Sequence, residues 1–329
     1  IAPSFIRFGS LELFSSQNDI ENLKLLADYT ISNYYPEIQS EGKEKHIEFF
    51  KNIAEKTREM IVHWQRVGFV HGVMNTDNMS IHGITIDYGP YGWLEDYNPN
   101  WTPNTTDAEG KRYRFGNQAN IALWNLYQLA NALYPLIEEA EPLETILNNF
   151  AKKYDEDFSE MMLKKLGITS KKEENDQLIQ QLLENLQQTE TDFTIFFRNL
   201  NQIIKDDSVE DCVTKINFSF YKPEEVTGII LETWHFWFAQ YLTILKEENN
   251  SDSERKTILN SVNPKYVLRN YMAQTAIELD EKEDYSLIDE LYSLLLNPYD
   301  EQPGFEKWFN KRPDWARQKI GSSMLSCSS

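Results

Sequence analysis

The sequence predicts a mainly α-helical fold that holds one short β-hairpin, and three observations carry that prediction. Apolar residues recur at three-to-four spacing over most of the chain. Strand-like alternation around a glycine turn is confined to Met79–Ile86, and one long aperiodic stretch rich in Pro, Gly, Asn and Thr interrupts the helices. With 329 residues, 41% hydrophobic and 13% aromatic, the chain can bury a sizeable core in one large or two ordinary domains.

Taken in order, the stretches 20–35 and 44–67 have helical spacing. The texture changes at Gly68. Met79-Ser80-Ile81, His82-Gly83 and Ile84-Thr85-Ile86 read as strand, turn and strand, with Asp87 directly after the second arm. From Pro90 to Gln118 no period survives, which predicts a long loop, and long loops inside compact domains are usually functional. Helical spacing resumes over 119–138 and returns over 144–166, 176–203, 223–246 and 280–296. Ser251-Asp252-Ser253-Glu254 is a capping box opening a helix over 255–261, and Asn263-Pro264 predicts an N-cap and first-turn proline for a helix through Ile277. The charge runs 171–176 and 246–255 read as solvated loops between helices.

Composition narrows the function. Acidic residues outnumber basic ones 52 to 32, and a net charge of −20 repels phosphate backbones and anionic membranes, so neither nucleic acid nor membrane is an expected partner. No apolar run approaches the roughly 20 residues a membrane helix needs. Only Cys212 and Cys327 occur, too few for a disulfide framework or a thiolate zinc site, and a reducing compartment fits best. His46, His63, His71, His82 and His235 lack metal-ligand spacing. His235, inside Trp234-His235-Phe236-Trp237-Phe238, is expected to pack in the core.

Chemistry concentrates in His71-Gly72-Val73-Met74-Asn75-Thr76-Asp77-Asn78, followed across the hairpin by Asp87-Tyr88-Gly89. Kinase-fold enzymes place a histidine, a catalytic aspartate and a metal-binding asparagine in one loop, cross a hairpin, and set a second metal-binding aspartate before a glycine. Magnesium on nucleotide phosphates needs hard oxygen ligands, which the amide of Asn78 and the carboxylate of Asp87 would supply. Gly89 would let the chain turn away without crowding the metal. One departure stands out: protein kinases carry the catalytic aspartate two residues after the histidine, where this chain has Val73, so the nearest carboxylate is Asp77. Two further readings stay open on these residues. Small-molecule phosphotransferases share a His-x-Asp loop leading to Asn and Asp-x-Gly, which Val73 argues against. A non-catalytic scaffold would have no reason to keep two carboxylates and an amide around the hairpin.

The run from His71 to Ser80, with Thr85-Ile86-Asp87-Tyr88-Gly89-Pro90, closely resembles the selenoprotein O family of protein adenylyltransferases. The resemblance extends over Ala2-Pro3-Ser4-Phe5-Ile6-Arg7-Phe8-Gly9, Gly116-Asn117-Gln118, Leu123-Trp124-Asn125-Leu126, Ser261-Val262-Asn263-Pro264, Val267-Leu268-Arg269-Asn270, Arg312-Pro313-Asp314-Trp315 and the terminal Ser326-Cys327-Ser328-Ser329. It implies a protein-kinase-like C-lobe over residues 1–140, with the metal and catalytic loop at 68–90 and an activation-like loop at 90–118, and a helical C-terminal extension over 141–329. It also implies Mg-dependent (or Mn-dependent) transfer of AMP from ATP to protein hydroxyls. On that resemblance Asp77 is the base, Asn78 and Asp87 hold the metal, and Arg7 contacts the phosphates of an ATP bound in flipped orientation. The acceptors are proteins, and the compartment is cytoplasmic in bacteria or mitochondrial in eukaryotic relatives. The family's glycine-rich loop, its ATP-gripping lysine and the glutamate paired with it would precede Ile1. A further phosphate-contacting arginine directly before that position suggests a chain starting where trypsin-like cleavage or truncation would leave it, and a fragment that binds ATP weakly and by itself transfers nothing. Cys327 matches the place of selenocysteine in animal relatives, but Met324 and a cysteine-free 92–107 leave it no partner for a redox lock.

Overall fold

The computed structural model describes residues 2–172, 174–319, 321, 322 and 325. Its fold is mainly helical, with a small two-stranded antiparallel sheet. Helix α1 (Phe8–Ser16) opens the chain, followed by α2 (Ile20–Tyr34), N-capped by Asp19 accepting from the Asn22 N–H at 3.2 Å, and α3 (Gly42–Val67). Gly68, at φ 74, ends α3 in the left-handed conformation that glycine adopts without strain. Strands β1 (Phe69–Val70) and β2 (Gly92–Trp93) pair with Phe69 opposite Trp93 and Val70 opposite Gly92. The helices α4 (Gln118–Ile137), α5 (Ala140–Leu166), α6 (Glu174–Asn185), α7 (Phe193–Asn199), α8 (Val209–Ile216), α9 (Gly228–Glu247), α10 (Asp252–Val262), α11 (Asn270–Asp280) and α12 (Ser286–Leu295) follow.

The hairpin expected at Met79–Ile86 is reduced to one antiparallel bridge, Met79 with Thr85. Ser80 pairs instead with Arg7, so the arm is shared with the N-terminal segment: the Phe8 N–H donates to the Met79 carbonyl at 3.0 Å, and the Ile81 N–H to the Ile6 carbonyl at 3.3 Å. The continuous helix expected over 176–203 breaks between α6 and α7. Thr191 bridges Phe220, Asp192 bridges Asp96, and the Asp192 carboxylate restarts the helix by accepting from the Ile195 N–H at 2.9 Å. The Ser251 capping box forms as read, whereas Asn263 ends α10 and the next helix begins only at Asn270.

Two packing expectations are corrected. In α9, Trp234, Trp237 and Phe238 are buried while His235 is only half-buried and Phe236 is exposed, because one turn of helix points five consecutive side chains to different sides. The run 246–255 ends inside the protein: Glu248 accepts from the Thr169 and Ser170 N–H groups, and the Arg255 guanidinium reaches the Ile203 carbonyl and the Tyr241 hydroxyl.

Buried apolar side chains form three clusters. One gathers α1 to α4 with the first half of α5, from Phe8 to Phe150. The largest gathers the second half of α5 with α6 to α10 and holds the free thiol of Cys212. A third joins residues from Tyr266 to Ala316 around α11 and α12. Among the described residues no helix is long and apolar enough to cross a membrane. Met324 and the terminal Ser326–Ser329, with Cys327, lie outside the described residues.

Candidate active site

The β1–β2 pair closes the base of a loop that runs from His71 to Tyr91 and carries Asp77, Asn78 and Asp87. The backbone of this loop is held by side-chain amides. Gln118, at the start of α4, accepts from the His71 N–H at 3.1 Å and donates to the Phe69 carbonyl at 2.9 Å. Asn125, two turns on, donates to the Met74 carbonyl at 3.0 Å, and Asn104 donates to the Gly72 carbonyl at 3.1 Å. A Cβ on Gly72 (φ 81) would collide with the Pro90 carbonyl oxygen, so this position needs glycine twice over.

His71 is buried and forms a bond the sequence did not assign: its Nε2 donates to the Ile86 carbonyl at 2.8 Å, one residue before Asp87. The Val73 N–H donates to Nδ1 at 3.4 Å, which fixes the neutral tautomer with the proton on Nε2. Burial lowers the pKa of this ring and favours the same neutral form. Asp87 itself has φ 53, left-handed for a non-glycine residue, whereas Gly89 has no such conformation and a Cβ there would meet only the Asp87 carbonyl oxygen, at an unstrained 4.0 Å. The tight backbone is therefore at the aspartate and not at the glycine expected to provide the turn.

Asp77 and Asn78 lie in one 3-10 turn, Thr76–Asn78, closed by the Asn78 N–H donating to the Asn75 carbonyl at 3.0 Å. Asp77 is exposed. The first turn of α1 passes so close that a Cβ on Gly9 would overlap Asp77 Oδ1 and stand 3.0 Å from its Cγ. Asn78 donates through Nδ2 to the Val73 carbonyl at 2.8 Å, which orients the amide and leaves Oδ1 without a hydrogen bond from the described residues. The Met79–Thr85 bridge sets Asn78 and Asp87 at the same end of the intervening turn. Arg7, far away in sequence, is brought in by its bridge to Ser80, and its Nη2 stands 2.9 Å from Asp87 Oδ1.

Among the described residues no group of three or more His, Cys, Asp and Glu gathers as a metal site. The donor chemistry nevertheless suits a hard cation that keeps most of its coordination for water and phosphate. Among the described residues Asp87 Oδ2 is buried without a hydrogen-bond partner, and the oriented Asn78 amide leaves its oxygen unused.

A family model described as "Protein adenylyltransferase SelO" matches residues 1–296. The chain is 62% identical over 329 residues to a "Protein nucleotidyltransferase YdiU" of Flavobacterium johnsoniae, 48% identical to one of Aromatoleum aromaticum, and 47% identical over 346 aligned residues to one of Rhodopirellula baltica. Each match covers the whole of this chain, which in turn spans 62 to 64% of the length of those relatives. With most of its length matched by that one model, the chain belongs to the SelO family of protein adenylyltransferases.

Proposed function

We propose that the protein transfers AMP from ATP to serine, threonine or tyrosine hydroxyls of proteins, with Asp77 as base, Asn78 and Asp87 as ligands of magnesium or manganese, and Arg7 on the nucleotide phosphates. The observation that carries this reading is one clamped loop that holds Asp77, Asn78 and Asp87, with Arg7 paired to Asp87, in a chain of this family. The order His71, Asp77, Asn78, turn and Asp87 supports a kinase-like C-lobe for residues 1–140, with 141–329 as its helical extension. The net charge of −20 supports proteins over nucleic acid as acceptors, and the bacterial relatives support the cytoplasm as the compartment.

When bound, the metal would neutralise phosphate charge. The chain's own residues do the rest. Asp77, exposed and with no hydrogen bond from the described residues, is free to take the proton of an acceptor hydroxyl. The hydroxyl oxygen then bonds to the α-phosphorus of ATP as the bond to pyrophosphate breaks. The Arg7 guanidinium, anchored through its backbone beside Ser80, orients phosphate oxygens, and the His71–Ile86 bond keeps Asp87 in place.

Incubation of the full-length parent protein with ATP, magnesium and mixed protein acceptors, followed by mass spectrometry of the acceptors, tests the reading. Adenylate on hydroxyl residues, lost in Asp77→Asn, is the expected result. Phosphate on the acceptors would make the protein a phosphotransferase instead, and no modification at all would leave a non-catalytic scaffold.

A further inference from the structure

Arg7 and Asp87 form an ion pair whose geometry is incomplete on both sides. Nη2 of Arg7 meets Oδ1 of Asp87 at 2.9 Å, with the side chains 36% and 31% exposed. Arg7 Nε and Asp87 Oδ2 are both buried, and neither has a hydrogen-bond partner among the described residues. A guanidinium and a carboxylate that served only each other would spend two parallel bonds. Here each keeps one atom for something else: a donor on the arginine, suited to an anion, and an acceptor on the aspartate, suited to a cation.

The backbone on both sides is fixed independently of the pair. The Arg7 N–H donates to Ser10 Oγ at 3.2 Å and the residue bridges Ser80, while Asp87 follows the carbonyl held by His71. Separation of the two charges therefore needs only a swing of the long arginine side chain. A cation arriving alone at Asp87 would stand against the guanidinium, and an anion arriving alone at Arg7 would stand against the carboxylate. When both arrive, each charge of the pair gains an opposite partner.

We infer that Arg7 occupies Asp87 until an anion draws it away, so that a divalent cation and a polyphosphate enter this site together and each raises the affinity for the other. The inference takes the identity of the two ligands from the function proposed above and adds the coupling between them. By thermodynamic linkage the factor is the same in both directions, and about tenfold lies within the usual range for coupled sites.

The test is Mn2+ binding to the 329-residue chain without any nucleotide, read by the electron paramagnetic resonance of free Mn2+. Arg7→Gln is expected to bind Mn2+ about tenfold more tightly than the unaltered protein. Arg7→Lys, which keeps the charge, is expected to bind as weakly as the unaltered protein. Inorganic triphosphate should raise Mn2+ affinity about tenfold beyond its own complexation of the metal, and this gain should vanish in Arg7→Gln. Circular dichroism melts confirm that the variants are folded. An Arg7→Gln protein that binds Mn2+ no better than the parent, or an Arg7→Lys protein that binds it as tightly as Arg7→Gln is expected to, overturns the inference and leaves the proposed transferase standing. Mn2+ binding that survives Asp87→Asn would instead remove Asp87 from the metal site, and with it both the metal assignment and the coupling.

Discussion

Gly9 shows how narrowly the candidate base is placed. It lies in the first turn of α1, where alanine would ordinarily improve the helix, yet a Cβ there would overlap the Asp77 carboxylate. Gly9→Ala is therefore expected to displace Asp77 and lower the transfer rate by about a hundredfold, the cost of a displacement near 1 Å, while magnesium-dependent ATP binding changes little. Steady-state transfer kinetics beside calorimetry of ATP binding read the two effects separately, and an unchanged rate would place the base elsewhere. Asp77, Asn78 and Asp87 could be singled out from the sequence because the metal-phosphate chemistry proposed for them needs those residue types around a turn. Gly9 was not, since its role depends on α1 approaching the 3-10 turn from a distant part of the chain. His71 was read as part of a motif, but its bond to the Ile86 carbonyl appears only once the loop has closed.

At the scale of elements, α4 acts as a template for the loop. Gln118 is fully buried and satisfies two backbone groups, the His71 N–H and the Phe69 carbonyl, one on each side of the end of β1. Gln118→Leu keeps a side chain of similar length and leaves both groups buried and unpaired, each costing about 1–3 kcal/mol. A loss of roughly 2–4 kcal/mol in urea unfolding is expected, and a loss below about 1 kcal/mol would mean that water or another amide takes over. The long amphipathic helices α2 to α5 and the Ser251 cap were legible because periodicity and caps are local. The short helices α1 and α8 were not, being too brief to establish a period. The sheet was missed for the same reason: strands of two residues cannot alternate, and their pairing is set by closure of the loop between them.

For the molecule as a whole, burial lowers the pKa of His46, His63, His71 and His82. The unfolded chain, with histidines near 6.5, then binds more protons than the folded protein at mildly acidic pH, so stability should fall as pH drops below about 6.5 and recover above it. Calorimetric melting at pH 7.5 and 5.5 checks the sign: the midpoint should be lower at pH 5.5. A buried charged group that no local pattern announces ties α11 to α7 and to the segment after β2. Arg269, at the N-cap of α11, is fully buried and forms two parallel bonds to Asp192, at 2.8 and 2.9 Å, where Asp192 caps α7; it also reaches Glu95, just beyond β2. Its partners lie 77 and 174 residues away in sequence, so the pairing is invisible to periodicity, and Arg269 entered the sequence reading only within a stretch of family resemblance. Removing the guanidinium leaves two buried carboxylates unpaired, a change that typically costs about 3–5 kcal/mol. Arg269→Met should therefore destabilise by that amount in urea unfolding followed by tryptophan fluorescence. Adding Glu95→Gln and Asp192→Asn to the same protein should restore part of the loss, because neutral amides tolerate burial better than unpaired charges. A triple variant no more stable than Arg269→Met would show that the cost lies in lost packing and α11 capping, and not in the stranded carboxylates.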